Sequence, residues 1–111
     1  MANIYKNVQK LLDSTSPTQE MYVSPDETTS IVKTINLYNN HGSNLDVTVT
    51  IYDNSSTTTF EYQKITVDAS NSVDLLTFNN LIVLEAGDKI KMQTTQTNVI
   101  KMTAAVLQIS R

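Results

Sequence analysis

The stretch from Ser30 to Asp53 constrains this chain most. Two runs of alternating apolar and polar residues, Ser30–Tyr38 and Asp46–Tyr52, flank the polar segment Asn39-Asn40-His41-Gly42-Ser43-Asn44. Side chains in a strand point to opposite faces with period two. Val47, Val49 and Ile51 therefore share one face, and Asp46, Thr48, Thr50 and Tyr52 the other. In the first run Ile31, Ile35 and Leu37 form the dry face, and Lys33 interrupts it, its stem expected to snorkel at an edge. The intervening residues tolerate positive φ and side-chain-to-backbone turns. The pattern predicts a β-hairpin with one wet and one dry face.

The same signal recurs along the chain. Ile4–Leu12 fits either a helical stripe (Ile4, Val8, Leu11, Leu12) or an irregular strand; with Asn3 and Asn7 beside it, the extended reading is favoured. Asp13–Gln19 reads as a loop and Glu20–Val23 as a short strand, stopped by Ser24-Pro25-Asp26. In Thr58–Val67, Phe60 and Tyr62 have even parity but Ile65 and Val67 odd. One extra residue near Gln63-Lys64, a β-bulge, would restore a single dry face. Val73–Leu76 is a short strand. Leu81–Leu84 is apolar throughout and reads as buried on both sides. Glu85-Ala86-Gly87-Asp88 is a tight turn with Gly87 at positive φ. Lys89–Thr94 points Ile90 and Met92 inward, and Val99–Ile109 is the last strand. About eight or nine short strands at roughly ten-residue spacing predict an all-β fold: a single antiparallel β-sandwich, jelly-roll-like, over residues 1–111. The expected core is Ile31, Ile35, Leu37, Val47, Val49, Ile51, Ile90, Met92, Met102 and Val106.

Composition narrows the function classes. A chain of 111 residues supports one domain and buries a core unaided. It has no cysteine, hence no disulfide framework and no thiol nucleophile. Net charge is −3, and Lys33, Lys64, Lys89, Lys91 and Lys101 are scattered along the chain, with Lys6 and Lys10 near its start. No basic stripe tracks phosphates, so nucleic acid is not an expected partner. The start lacks the apolar segment of a signal peptide, and no run approaches the ~20 residues of a membrane helix. The reading is a soluble chain made in the cytoplasm, with no membrane partner.

No reaction centre emerges. His41 is the only histidine and lies in a polar turn. Ser43, His41 and Asp46 make a triad only on paper, without the strand-turn-helix elbow that exposes a nucleophile. The acidic pairs Asp26/Glu27 and Glu85/Asp88 lie in predicted turns, where carboxylates ordinarily cap the bend. Asp53, Asn54 and Asp88 offer oxygens of the kind calcium accepts, but no dense Asp run accompanies them, and no metal or cofactor is assigned. Asn54-Ser55-Ser56 matches a glycosylation sequon without a secretory signal to make it relevant. Tyr38 and Tyr52 fall on predicted wet faces. They either form an exposed aromatic contact for a protein or sugar, or pair across the hairpin.

Several segments together carry a resemblance. They are Ile4-Tyr5-Lys6-Asn7-Val8, Met21-Tyr22-Val23-Ser24-Pro25, Thr29-Ser30-Ile31-Val32-Lys33-Thr34-Ile35, the Val47–Ile51 strand, and Leu84-Glu85-Ala86-Gly87-Asp88-Lys89-Ile90-Lys91. With them the chain resembles small virion structural proteins of tailed bacteriophages, of the marine and cyanobacterial phage type. Those relatives generally show Val-Pro-Ala before the first long strand, where this chain has Val23-Ser24-Pro25-Asp26. The resemblance implies a non-enzymatic part of the virion and supplies no catalytic residue. The first expectation is a capsid decoration (cement) protein; a neck, tail or fibre-attachment component is the alternative, and a carbohydrate-binding module a third reading. Partners would be other virion proteins and further copies of the chain, contacted through edge strands, loop tips and the N-terminal segment. Residues 1–12, with Ile4, Tyr5, Val8, Leu11 and Leu12, are the expected intersubunit contact. Their removal is then expected to leave a folded sandwich.

Overall fold

The computed structural model describes residues 2–12, 19–76, 81–96 and 98–110. The strands are β1 (Ala2–Leu12), β2 (Gln19–Val23), β3 (Thr28–Asn39), β4 (Leu45–Asp53), β5 (Thr58–Val67), β6 (Ser72–Asp74), β7 (Ile82–Leu84), β8 (Lys89–Gln93) and β9 (Ile100–Ser110). N-terminal residues 2–12 are strand, as the extended reading of that segment requires. The described residues contain no helix, and thus none long and apolar enough to cross a membrane. Of the expected loop Asp13–Gln19, residues 13–18 lie outside the described residues and Gln19 is instead the first residue of β2.

Every pairing is antiparallel. One sheet runs β1-β9-β3-β6, with β7 also on β3, and the other runs β2-β8-β4-β5. β1 to β4 alternate between the two sheets, β5 stays beside β4, β6 and β7 both return to β3, and β8 and β9 alternate again, the order of a jelly roll. Alternation along each strand directs one face of each sheet into a shared core, formed by Val32, Ile35, Leu37, Met102 and Val106 from the first sheet and Val47, Val49, Ile90 and Met92 from the second. Of the expected core, Ile51 is half-buried against this cluster and Ile31 is not part of it.

The Ser30–Asp53 stretch is not a hairpin. β3 pairs with β9 on one side and with β6 and β7 on the other, whereas β4 sits between β8 and β5 in the opposite sheet. Asn39 explains the difference. Its side chain is fully buried where the chain leaves β3. Its Nδ2 donates to the Ser43 carbonyl (2.9 Å) and the Val67 carbonyl (3.0 Å), and its Oδ1 accepts from the His41 N–H (2.8 Å). These bonds turn the polar segment into an arch from one sheet to the other. Alternation sets which face a side chain takes; it does not choose the neighbouring strand.

Bulges account for the other departures. Val32 and Thr34 pair with the consecutive residues Val106 and Ala105, so Lys33 is an extra residue. Before the bulge Thr28, Ser30 and Val32 are buried; after it Ile35, Leu37 and Asn39 are. Ile31 therefore lies on the outer face, which corrects its assignment to the core. The inward Ser30 joins a polar cluster at that end. Its Oγ lies 2.8 Å from both the Tyr22 hydroxyl and the Ser24 hydroxyl, and Gln108 Nε2 donates to the Tyr22 Oη (2.6 Å). In β5 the extra residue is Tyr62, since Val49 pairs with Gln63 and Thr50 with Glu61. That is one position from the expected bulge. Phe60 shares the inward face of Ile51 yet stays 56% exposed, because β5 is the margin of its sheet. Leu81–Leu84 is likewise not buried on both sides: Leu81 is 52% and Val83 60% exposed.

Ile90→Ala is expected to cost about 2–5 kcal/mol and Val49→Ala somewhat less, through cavities between the sheets. Equilibrium denaturation measures both. Unchanged midpoints would contradict the core assignment.

Asn39→Ala strips partners from two carbonyls and an amide, where each unsatisfied buried group costs about 1–3 kcal/mol. Replacement of the exposed neighbour Asn40 by Ala should stay within about 0.5 kcal/mol. The same denaturation experiment compares them; equal effects would deny the arch its anchor.

Candidate interaction surface

Residues directly opposite in an antiparallel ladder share a face. Along β9, Ile100, Met102, Ala104 and Val106 are buried, so their β1 partners Leu12, Lys10, Val8 and Lys6 are on the inner side. Ile4, opposite Gln108, continues that side but is 53% exposed, because the second sheet does not cover it. The outer side carries Tyr5 and Leu11. Tyr5 pairs with Leu107, Leu107 with Ile31, and Ile31 with Val83. An apolar row thus crosses β1, β9, β3 and β7 on the outer face of the first sheet. Tyr5 is 73% exposed, and the Lys33 ammonium lies 5.1 Å from its ring centroid, within cation–π range. A second row, Leu11–Lys101–Tyr38, lies toward the other end of this face.

The expected contact residues therefore divide. Tyr5, Leu11 and Tyr38 share the outer face of the first sheet; Leu12 is in the core and Val8 packs against it. Tyr52 lies in the other sheet, so it neither pairs with Tyr38 nor shares a platform with it. Lys89 and Lys91 approach the Tyr52 ring at 5.4 and 5.1 Å, and Lys89 bonds the Glu20 carboxylate (2.7 Å). That hydrogen bond holds Glu20 below its ordinary carboxylate value. Sequence reasoning missed Leu107 and Val83 as surface residues. The signal lies in register: only the ladders place them beside Tyr5 and Ile31.

Several of the groups weighed for chemistry are held in turns and ladders. Ser43 N–H donates to His41 Nδ1 (3.2 Å), while the Asp46 carboxylate accepts from Thr66 Oγ1 (2.6 Å). Asp88 accepts from the Asn54 and Glu85 amides, both at 2.9 Å, and thereby ties two turns together. Gly87, at φ +83°, passes so close that a Cβ there would meet Asn54 Nδ2 at 2.6 Å. Asp53 accepts from the Ser55 and Ser56 hydroxyls at 2.8 and 3.0 Å, which lowers its pKa. The Asp53 and Asp88 oxygens considered for calcium thus serve backbone and hydroxyl donors. Among the described residues no three His, Cys, Asp or Glu side chains converge.

No known protein family matches the chain, and no curated protein does. Solved structures do. A protein of the disulfide-linked pili that form Bacillus endospore appendages matches 98% of this chain and 87% of its own, with TM-score 0.57 and 11% identity. A protein of the virus-like particle of extra small virus from the giant freshwater prawn Macrobrachium rosenbergii matches 97% and 79%, with TM-score 0.54 and 13% identity. Identities this low establish a shared fold. Neither neighbour is a tailed-bacteriophage protein. This chain, having no cysteine, cannot form the disulfide links of the pili.

The N-terminal segment pairs with its own β9 from Ala2 to Leu12. Deletion of residues 1–12 would bare that ladder and empty the space of Leu12. The expected result is loss of cooperative folding, read by circular dichroism during a thermal melt, rather than the folded sandwich anticipated from sequence. An unchanged melt would make β1 an accessory.

Proposed function

We propose that this chain is a non-enzymatic structural subunit of a virus particle, acting by surface complementarity in a homo-oligomer. The supporting observation is the fold. A jelly roll occupying nearly the whole chain is shared with a pilus protein and a virus-like-particle protein, across 98% and 97% of this chain. Assembly from such a unit needs complementary faces, not a reaction centre. Within the particle, capsid decoration of a tailed bacteriophage is the first assignment. It rests on the sequence segments from Ile4–Val8 to Leu84–Lys91. A neck, tail or fibre-attachment part is the alternative. A carbohydrate-binding module loses its main support, because Tyr38 and Tyr52 lie in different sheets.

Quantitative mass spectrometry of purified particles tests this. Decoration predicts copy numbers comparable to the main shell protein; a neck or tail part predicts far fewer. Absence of the chain from particles would overturn the virion assignment.

A further inference from the structure

We propose that the outer face of the β1-β9-β3-β7 sheet is a two-fold interface with a second copy of this chain, Tyr5 of each copy entering the groove over Ala105 of the other.

Charge distinguishes this face from its opposite. The outer face of the second sheet carries Glu20, Asp46, Glu61, Lys64, Lys89 and Lys91 in its ladders. Among the described residues, the ladders on the outer face of the first carry Lys33 beside the Tyr5–Leu107–Ile31–Val83 row, and Lys101 and Asp74 toward the other end. Interface centres are depleted of charge and enriched in aromatic residues. With so few charges, two such faces meet without strong repulsion.

Shape selects a second copy over a different protein. A two-fold contact uses one patch on both partners, so that patch must contain both a projection and its receptacle. This face does. Tyr5 projects from β1, and beside it lies an open groove of about 330 Å³ lined by Tyr5, Lys6, Asn7, Thr34, Thr103 and Ala105 among others, Lys6 standing at its β1 margin. The groove exists because Ala105 is small and stands between Asn7 and Thr34 in the ladder. Lys33 against the Tyr5 ring restrains the projection before binding. Extent also fits. Three strands of 11, 12 and 11 residues with the three-residue β7 beside them span a projected face of about 600 Å² at ordinary strand rise and spacing. With the relief of its side chains that face approaches the roughly 800 Å² of accessible surface each partner buries in a standard interface.

The inference deepens the oligomer in the reading above, yet it requires no virion, so the two fail separately. Sedimentation velocity of the full chain across the micromolar range is expected to show a dimer. Tyr5→Ala should weaken it about tenfold or more, and Ala105→Glu should leave folded monomers whose thermal melt matches that of the parent at concentrations where the parent is monomeric. The cysteine-free chain supplies an independent probe that does not depend on those variants folding. With a short bis-maleimide cross-linker Asn7→Cys, beside Tyr5 and opposite Ala105 and so near the two-fold axis, should give a linked dimer, whereas Lys64→Cys, on the opposite face, should not. Three results would overturn the interface: a parent that stays monomeric throughout, a dimer unaffected by Ala105→Glu, or preferential cross-linking through Lys64→Cys. A monomer whose Tyr5 face becomes protected only inside a particle would overturn it in favour of a different protein partner.

Discussion

The buried amide of Asn39 is the constraint on which the architecture rests. A polar side chain removed from water must be fully hydrogen-bonded, and Asn39 reaches that state only with the Ser43 and Val67 carbonyls and the His41 amide around it. Those partners exist together only if the chain arches away from β3 and begins β4 in the other sheet. A tight hairpin would leave the amide without Val67, which ends β5. Once β3 and β4 are parted, β9 is free to lie between β1 and β3, and β8 between β2 and β4. One local hydrogen-bonding requirement thus favours two sheets over a meander.

Single inserted residues then decide what each face presents. A one-residue offset moves every following side chain to the other side of a strand. Lys33 does this in β3, bringing Ser30 inward to Tyr22 and Ser24 and sending Ile31 outward beside Leu107. The polar end of the core and the apolar row on the surface are therefore two consequences of one bulge. Tyr62 does the same in β5, keeping Ile65 against the core and Val67 within it while leaving the margin exposed.

Much of this was legible in the sequence, for physical reasons that also mark where legibility ended. Period-two alternation reported burial well in β4 and β8, where neither strand carries the inserted residue. The parity break between Tyr62 and Ile65 announced its own bulge. Lys33 gave the same kind of signal, but a lysine can snorkel, so an uninterrupted strand with Ile31 inward satisfied the pattern equally well. Pairing partners were not legible, because β3 and β4 have compatible patterns and an adjacent turn-forming segment. The apolar surface row was hidden for the same reason: it joins positions 5, 31, 83 and 107 through three ladders.

The sheet margins favour association through a face over association through an edge. An unprotected edge strand invites pairing with another chain, and proteins blunt such edges with bulges, short strands or inward-pointing charges. β6 and β7 have three residues each. β2 is short and its register shifts between Glu20 and Tyr22, while β5 carries the Tyr62 bulge. β1 is long and regular, but Lys6 and Lys10 stand on its inner side opposite Val106 and Met102. A strand added there would set its own inward side chains beside these ammonium groups. The outer face of the same sheet has no such defence: its apolar row runs across four strands and ends at Tyr5 on one side and Val83 on the other, both largely exposed. Tyr5 therefore joins a β1 edge defended by lysines to a face that is not, and the chain's own geometry directs contact onto that face.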